Sequence, residues 1–167
     1  MCRHSRRSIR FLVLCMCASI SLTTGCATPG SASEPDERSV RDFAGQFLRA
    51  FENLDMPPFI DCFADDATAF FPEPEPPLRF EGKAAIQAQF KKVFAAIRGG
   101  AAGGPPFHTL RPQNMTVQFV SGESAIVTFH LRGEKRIARR SLVLRKTGAG
   151  WRIVHLHASN VVFDEQR

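Results

Sequence analysis

"GWRIVHLHASN", residues 150–160, alternates apolar and polar side chains from Val154 to Ser159 and reads as a β-strand. Alternate residues of a strand share a face. His155, His157 and Ser159 therefore fall on one side, and Val154, Leu156 and Ala158 on the other. Gly148-Ala149-Gly150 just before it carries the residues a tight hairpin needs. Working backwards, the same reading gives strands over about 137–146, 124–132 and 108–120, joined at Gly133-Glu134 and Ser121-Gly122. From Phe107 onward the chain is thus an antiparallel meander.

The segment before the meander is helical. Val40, Phe43, Phe47, Phe51 and Leu54 repeat at helical spacing, with Arg41, Asp42, Gln46 and Arg49 on the opposite side. Pro57-Pro58 opens a short second helix through Ile60 and Phe63, because proline is comfortable in a first turn. "ATAFFP" reads as a strand stopped by Pro72, "PEPEPP" as a stiff connection that cannot be interior sheet, and "LRFEG" as a second short strand. Ile86, Phe90, Val93, Phe94 and Ile97 form one stripe of a helix from Lys83 to Ile97. "RGGAAGGPP" ends it; this loop lacks the Gly-Lys-Ser/Thr of a phosphate-binding loop. Helices followed by a meander define an α+β fold. The fifteen phenylalanines supply a substantial core.

"CFADDATAFFP", "RFEGKAAIQAQF" and "GAGWRIVHLHAS", in this order, resemble the nuclear transport factor 2-like superfamily, with its ketosteroid isomerases and SnoaL-like cyclases. "HTLRP" and "GWRIVHLHAS" are also similar to the association domain of calcium/calmodulin-dependent kinase II. The resemblance implies a cone: a curved antiparallel sheet wrapped around the N-terminal helices, enclosing a pocket, usually in a homodimer formed across sheet faces. It also allows a test. Isomerase chemistry needs a carboxylate base, a tyrosine and a protonated aspartate. Those positions correspond here to Phe71, Phe47 and Leu142, and the chain contains no tyrosine. The protein is not a ketosteroid isomerase.

By the same correspondence, Thr128, His130 and Arg132 on one strand and His155 and His157 on another line the pocket, with Phe47, Phe71 and Leu142 as further wall residues. Periodicity alone opposes this: Val127, Phe129 and Leu131 are the apolar side of their strand, which leaves His130 and Arg132 facing water. An arginine and histidines in an apolar cavity suit a small anionic or carbonyl-bearing ligand. Binding is the favoured reading. Acid–base catalysis by a histidine on the same pocket is the alternative, and an oligomerisation module without ligand is the second. No carboxylate is placed beside the histidines by pattern, so neither metal nor other cofactor is expected. The basic run "RGEKRIARR" (132–140) reads as a solvated edge.

Residues 1–25 stand apart. Arg3, Arg6, Arg7 and Arg10 precede an apolar stretch from Phe11 to Leu22, too short to span a membrane, and small residues ending at Gly25-Cys26 follow. This resembles a bacterial lipoprotein signal, which implies lipidation of Cys26 and a periplasmic domain anchored to a membrane, the outer membrane by the alanine that follows. Residues 26–36 read as a flexible tether and 37–167 as the domain. Of the five cysteines only Cys62 remains in that domain, so no disulfide framework is expected. The chain's 22 Lys+Arg exceed its 16 Asp+Glu, but four of the arginines and no acid lie in residues 1–25. What remains is close to neutral, and nucleic acid is not an expected partner.

Overall fold

The computed structural model describes residues 34–72 and 76–163. The expected signal segment, Cys26 and most of the tether lie outside the described residues. Helix α1 (Glu34–Glu52) begins inside the stretch read as tether; Pro35 suits a first turn, so proline there opens a helix. It is followed by α2 (Met56–Asp61), β1 (Phe63–Phe70), β2 (Phe80–Glu81) and α3 (Lys83–Gly100). Then come β3 (Pro112–Ser121), β4 (Ser124–Arg132), β5 (Arg136–Thr147) and β6 (Gly150–Val162).

The strands form one open sheet in the order β2-β1-β6-β5-β4-β3. The meander is antiparallel, as its turns dictate. The sheet as a whole is mixed, however, because β6 returns beside β1 in the same direction, pairing Thr68 with His155 and Phe70 with His157. The antiparallel sheet that the resemblance implies is present except at this one parallel pair, which joins segments far apart in sequence.

The apolar stripes of the helices pack on one face of the sheet. Phe59 of α2 is fully buried, its ring 5.0 Å from Phe47, 4.5 Å from Phe90 and 5.1 Å from Phe94, centroid to centroid. Such pairs add about 0.5–1.5 kcal/mol each beyond area burial. The sheet contributes Ala125, Val127 and Phe129 from β4, Leu142 and Leu144 from β5, and Trp151, Ile153 and Leu156 from β6, all buried. Trp151 is fixed further by its indole N–H, which donates to Ser39 Oγ on α1 at 3.0 Å. Cys62 packs among them as a buried free thiol, and burial pushes its pKa up to about 11. At neutral pH it stays protonated and behaves as a small apolar side chain.

One local feature decides which residues face the helices. Leu144 pairs with Ile153 and Val143 pairs with His155, so Val154 is an extra residue on β6. A bulge of one residue exchanges the two faces of everything beyond it. Trp151 and Ile153 face the helices before the bulge; Leu156, Ala158 and Asn160 do so after it. Uninterrupted alternation from Ile153 would have carried His155 and His157 inward.

Candidate functional site

A cavity of about 470 Å³ lies between α1, α3 and the inner face of the sheet, toward the β4–β5 hairpin. Its size falls in the ~300–1,000 Å³ range of small-molecule sites. Phe47, Leu48 and Phe51 line it from α1, Phe90, Val93 and Ile97 from α3, Phe129 and Leu131 from β4, and Leu156 and Ala158 from β6. Phe71 and Pro72, just after β1, complete the apolar wall.

Of the residues expected at the site, Phe47, Phe71 and Arg132 line the cavity. Arg132 also sets its guanidinium over the Phe163 ring, 5.6 Å from the centroid. The others are elsewhere. Leu142 is fully buried in the core and is not part of the cavity wall. Thr128, His130, His155 and His157 stand on the opposite, outer face of the sheet, where Thr128 pairs with Ser141, His130 with Arg139, and His155 with Val143. Two causes account for the correction. On β4 the simple apolar alternation holds, and the chain's own helices cover Val127 and Phe129. On β6 the bulge at Val154 turns the histidine pair outward.

The outward histidines still make a local cluster. Thr68 Oγ1 lies 2.7 Å from His155 Nδ1, and the Phe70 ring meets both imidazoles edge-on at 5.1 and 5.7 Å. Partial burial, and then the charge of His157, hold the His155 pKa below the ordinary imidazole value. Among the described residues no group of three or more His, Cys, Asp or Glu side chains is placed to hold a metal ion.

Besides Arg132, the polar part of the cavity wall comes from residues that were not expected at the site: His108, Thr109, Arg111, Arg136, Arg140 and Asn160. Arg136 and Arg140 belong to the run read as a solvated edge. Arg139 does fit that description, being exposed, but Arg136, Ala138 and Arg140 alternate on the inner face. The signal was present as Arg-x-Ala-x-Arg, a small residue between two cations at strand spacing. Arg140 Nη1 donates to the carbonyls of Arg139 and Ser159 at 2.8 and 3.1 Å, which holds the side chain against the sheet. Asn160 Oδ1 is buried without a hydrogen-bond partner among the described residues. No Asp or Glu side chain lines the cavity among the described residues.

Residues 107–111 form the remaining edge, and Glu52 at the end of α1 organises them. Its carbonyl accepts from the backbone N–H of Phe107 at 2.8 Å and of His108 at 3.3 Å, and its carboxylate accepts from Leu110 N–H at 2.6 Å. Arg98 lies over the Phe107 ring at 5.3 Å. The His108 ring stacks on Phe51, with centroids 6.4 Å apart and planes 14° from parallel. No carboxylate hydrogen-bonds that ring among the described residues. The wall can therefore enclose an apolar body, and among the described residues it shows no histidine hydrogen-bonded to a carboxylate.

An open, helix-backed mixed sheet with a cavity on its inner face defines the nuclear transport factor 2-like class. Within it, the chain belongs to the SnoaL-like domain family, whose model matches residues 40–164. Among solved structures it is similar to a nuclear transport factor 2-like protein of unknown function from Pseudomonas putida KT2440. That likeness has 25% identity and a TM-score of 0.64, over 80% of this chain and 92% of that one. A ketosteroid isomerase-like protein from Erwinia carotovora atroseptica SCRI1043 shares the fold at 19% identity and TM-score 0.63, over 78% of this chain and 100% of that one. So does a putative aromatic ring hydroxylase from Novosphingobium aromaticivorans, at 19% identity and TM-score 0.62, over 79% and 93%. Among curated proteins none matches the chain. Family and fold together make this a domain that binds or processes small molecules.

Proposed function

We propose that the domain binds a small anionic or carbonyl-bearing molecule in this cavity and does not transform it. The observation that carries the reading is the chemistry of the wall: apolar rings over most of its area, with Arg111, Arg132, Arg136 and Arg140 among its polar groups and no lining carboxylate among the described residues. Guanidinium groups suit negative charge, and more so beside apolar walls. Among the described residues no carboxylate hydrogen-bonds the His108 ring on the wall, which favours binding over catalysis.

Native mass spectrometry of the protein purified from its own host tests this. The expected result is a bound small acid or carbonyl compound, weakened by Arg140→Gln and unaffected by His157→Ala. Protein that carries nothing and binds no small molecule in a broad screen would overturn the reading.

The placement proposed for the domain is the periplasmic side of a membrane, held by lipid on Cys26. The supporting features are the arginine-rich start, the short apolar stretch and Gly25-Cys26; no helix among the described residues is long and apolar enough to cross a membrane. Cys26→Ser should release the protein into the soluble periplasm or block processing of residues 1–25. Mature protein starting elsewhere than an acylated Cys26, by mass spectrometry, would refute the anchor.

A further inference from the structure

The hairpins give the sheet two ends, and the chain enters at one of them. The β3–β4 and β5–β6 turns lie together at this end: Ser121 pairs with Ser124, Thr147 pairs with Gly150, and Lys146 N–H donates to the Glu123 carbonyl at 2.8 Å. The start of α1 is fastened there. Lys146 Nζ lies 3.1 Å from Asp36 Oδ1, and the Trp151 indole N–H donates to Ser39 Oγ at 3.0 Å. Whatever precedes Glu34 therefore leaves the domain beside these two turns.

The cavity opens at the other end. Its deep wall is buried, with Phe47, Phe90, Phe129 and Leu156 among its residues. Its exposed lining residues include Pro72, His108 and Thr109 ahead of β3, and Arg132, Gly133 and Arg136 around the β4–β5 turn. The strand pairs bring all of these together. Pro72 follows Phe70, which is paired with His157 in the second half of β6. Residues 108 and 109 lead into Pro112, which is paired with Leu131, and Arg136 is paired with Val162.

Entry and mouth are far apart. Strand β5 runs between them, and from Lys146 to Arg136 it rises about 33 Å at strand spacing. Helix α1 covers the same path with 19 residues, about 28 Å, and ends at Glu52, which holds Leu110 at the mouth. Cys26 precedes Glu34 by only eight residues, which reach at most about 29 Å when fully stretched. We propose that the domain stands with its β3–β4 and β5–β6 turns toward the bilayer and its cavity mouth toward the aqueous compartment, so that its ligand is water-soluble and comes from solution rather than from the membrane that holds the anchor. This rests on the lipid anchor at Cys26 proposed above and adds the side from which the cavity is filled. Turning the domain over would require its chain entry to stand about 33 Å above the bilayer when the β4–β5 tip touched it, beyond the reach of eight residues. A domain lying on its side presents a flank to the bilayer, and the mouth, being at the end, still opens to water.

The test is energy transfer from the domain to a membrane surface. The full chain is processed in a bacterial host and reconstituted into vesicles of phosphatidylethanolamine and phosphatidylglycerol that carry an acceptor dye on their headgroups. A donor dye is attached to Gly148→Cys, in the β5–β6 turn, or to Gly133→Cys, at the mouth. A side chain at 148 meets nothing within 4 Å, and at 133 its nearest neighbour is the Arg136 carbonyl oxygen at 3.5 Å, an ordinary contact. Cys62 is buried, with its thiol pKa pushed up to about 11, so it competes little for the dye. Transfer should be severalfold greater from position 148 than from position 133. A polyethylene-glycol maleimide should react with Gly133→Cys equally fast on vesicles and in detergent, and with Gly148→Cys more slowly on vesicles. Inserting about 30 Gly/Ser residues after Pro29 should remove most of the difference in transfer, because a chain of that length lets the domain turn over.

Equal transfer from the two positions, or more from position 133, in protein retained on the vesicles would overturn the orientation and leave the anchor standing. Protein that does not stay with the vesicles would overturn the anchor and this inference with it, without touching the small-molecule reading of the cavity. A phospholipid or its acyl chain recovered from the cavity of the membrane-bound protein would overturn the supply from water even where the orientation holds.

Discussion

At His155 the imidazole Nδ1 sits 2.7 Å from Thr68 Oγ1, and burial together with the His157 charge depresses its pKa. The consequence for stability has a definite sign. The unfolded chain takes up a proton near pH 6.5. The folded chain resists it until a lower pH, so between those values the unfolded state binds more protons. Stability should fall as pH drops through the ordinary histidine range, and this contribution should level off once His155 is protonated in the folded state. Urea midpoints from pH 7.5 downward should show the decline, and His155→Gln should flatten it. An unchanged slope in that variant would place the effect on other groups. The same residue shows a limit of single-residue reading. A histidine on a strand is visible in the sequence, whereas the face it occupies depends on every residue between it and the turn.

Elements were legible where their signals are local. The hairpin glycines and the phenylalanine spacing of α1 and α3 locate the meander and the helices to within a few residues. The Val154 bulge left one local mark, the adjacent Ile153-Val154 pair at which the apolar phase changes from Trp151/Ile153 to Leu156/Ala158, and a strict alternation through the whole strand passes over it. The partnership of β1 with β6 was equally hidden, since it joins segments nearly ninety residues apart. The bulge is testable as an element. Deleting Val154 leaves Ile153 paired with Leu144 and His155 with Val143, now as consecutive residues, so the ladder becomes regular while Leu156 stays inward and the histidines outward. The deletion should therefore keep Leu156 buried, whereas inserting one alanine between His155 and Leu156 would turn Leu156, Ala158 and Asn160 outward and should cost at least about 2–5 kcal/mol in urea unfolding, the loss of Leu156 from the core alone. Near-wild-type stability of the insertion would show that the strand re-registers without penalty. The 107–111 segment carries a milder prediction. Glu52→Ala removes the carboxylate that accepts from Leu110 N–H. It should cost about 1–3 kcal/mol where that amide stays shielded from water, with faster hydrogen exchange at Leu110. Unaltered exchange there would mean that the carboxylate does not hold the segment.

For the whole molecule, the α+β class and the superfamily were readable from order and spacing, and the apolar half of the cavity from Phe47 and Phe71. Of its cationic half Arg132 was expected, but Arg136 and Arg140 were not, because arginines on a hairpin read as solvated until the facing helices are in place. Assembly must be argued from what those helices leave uncovered. The resemblance implies a homodimer formed across sheet faces, but the face that carries Val127, Phe129 and Leu156 is already buried against the chain's own helices. The surface left for a second copy is the outer one, where Thr68, His155, Val143 and Ile126 form one cross-strand row and Phe70, His157, Ser141 and Thr128 the next. Phe70, Ile126 and Val143 are only partly buried there, an apolar strip flanked by hydroxyls and imidazoles. We propose that two copies meet on this face, and a stable interface of that kind buries at least about 1,000 Å² in total. Light scattering at micromolar concentration should then give twice the chain mass. Val143→Arg should halve it, since an arginine in the middle of the strip meets its own symmetry mate. A wild-type protein that is monomeric under these conditions would rule out the pairing and leave the histidine face to solvent.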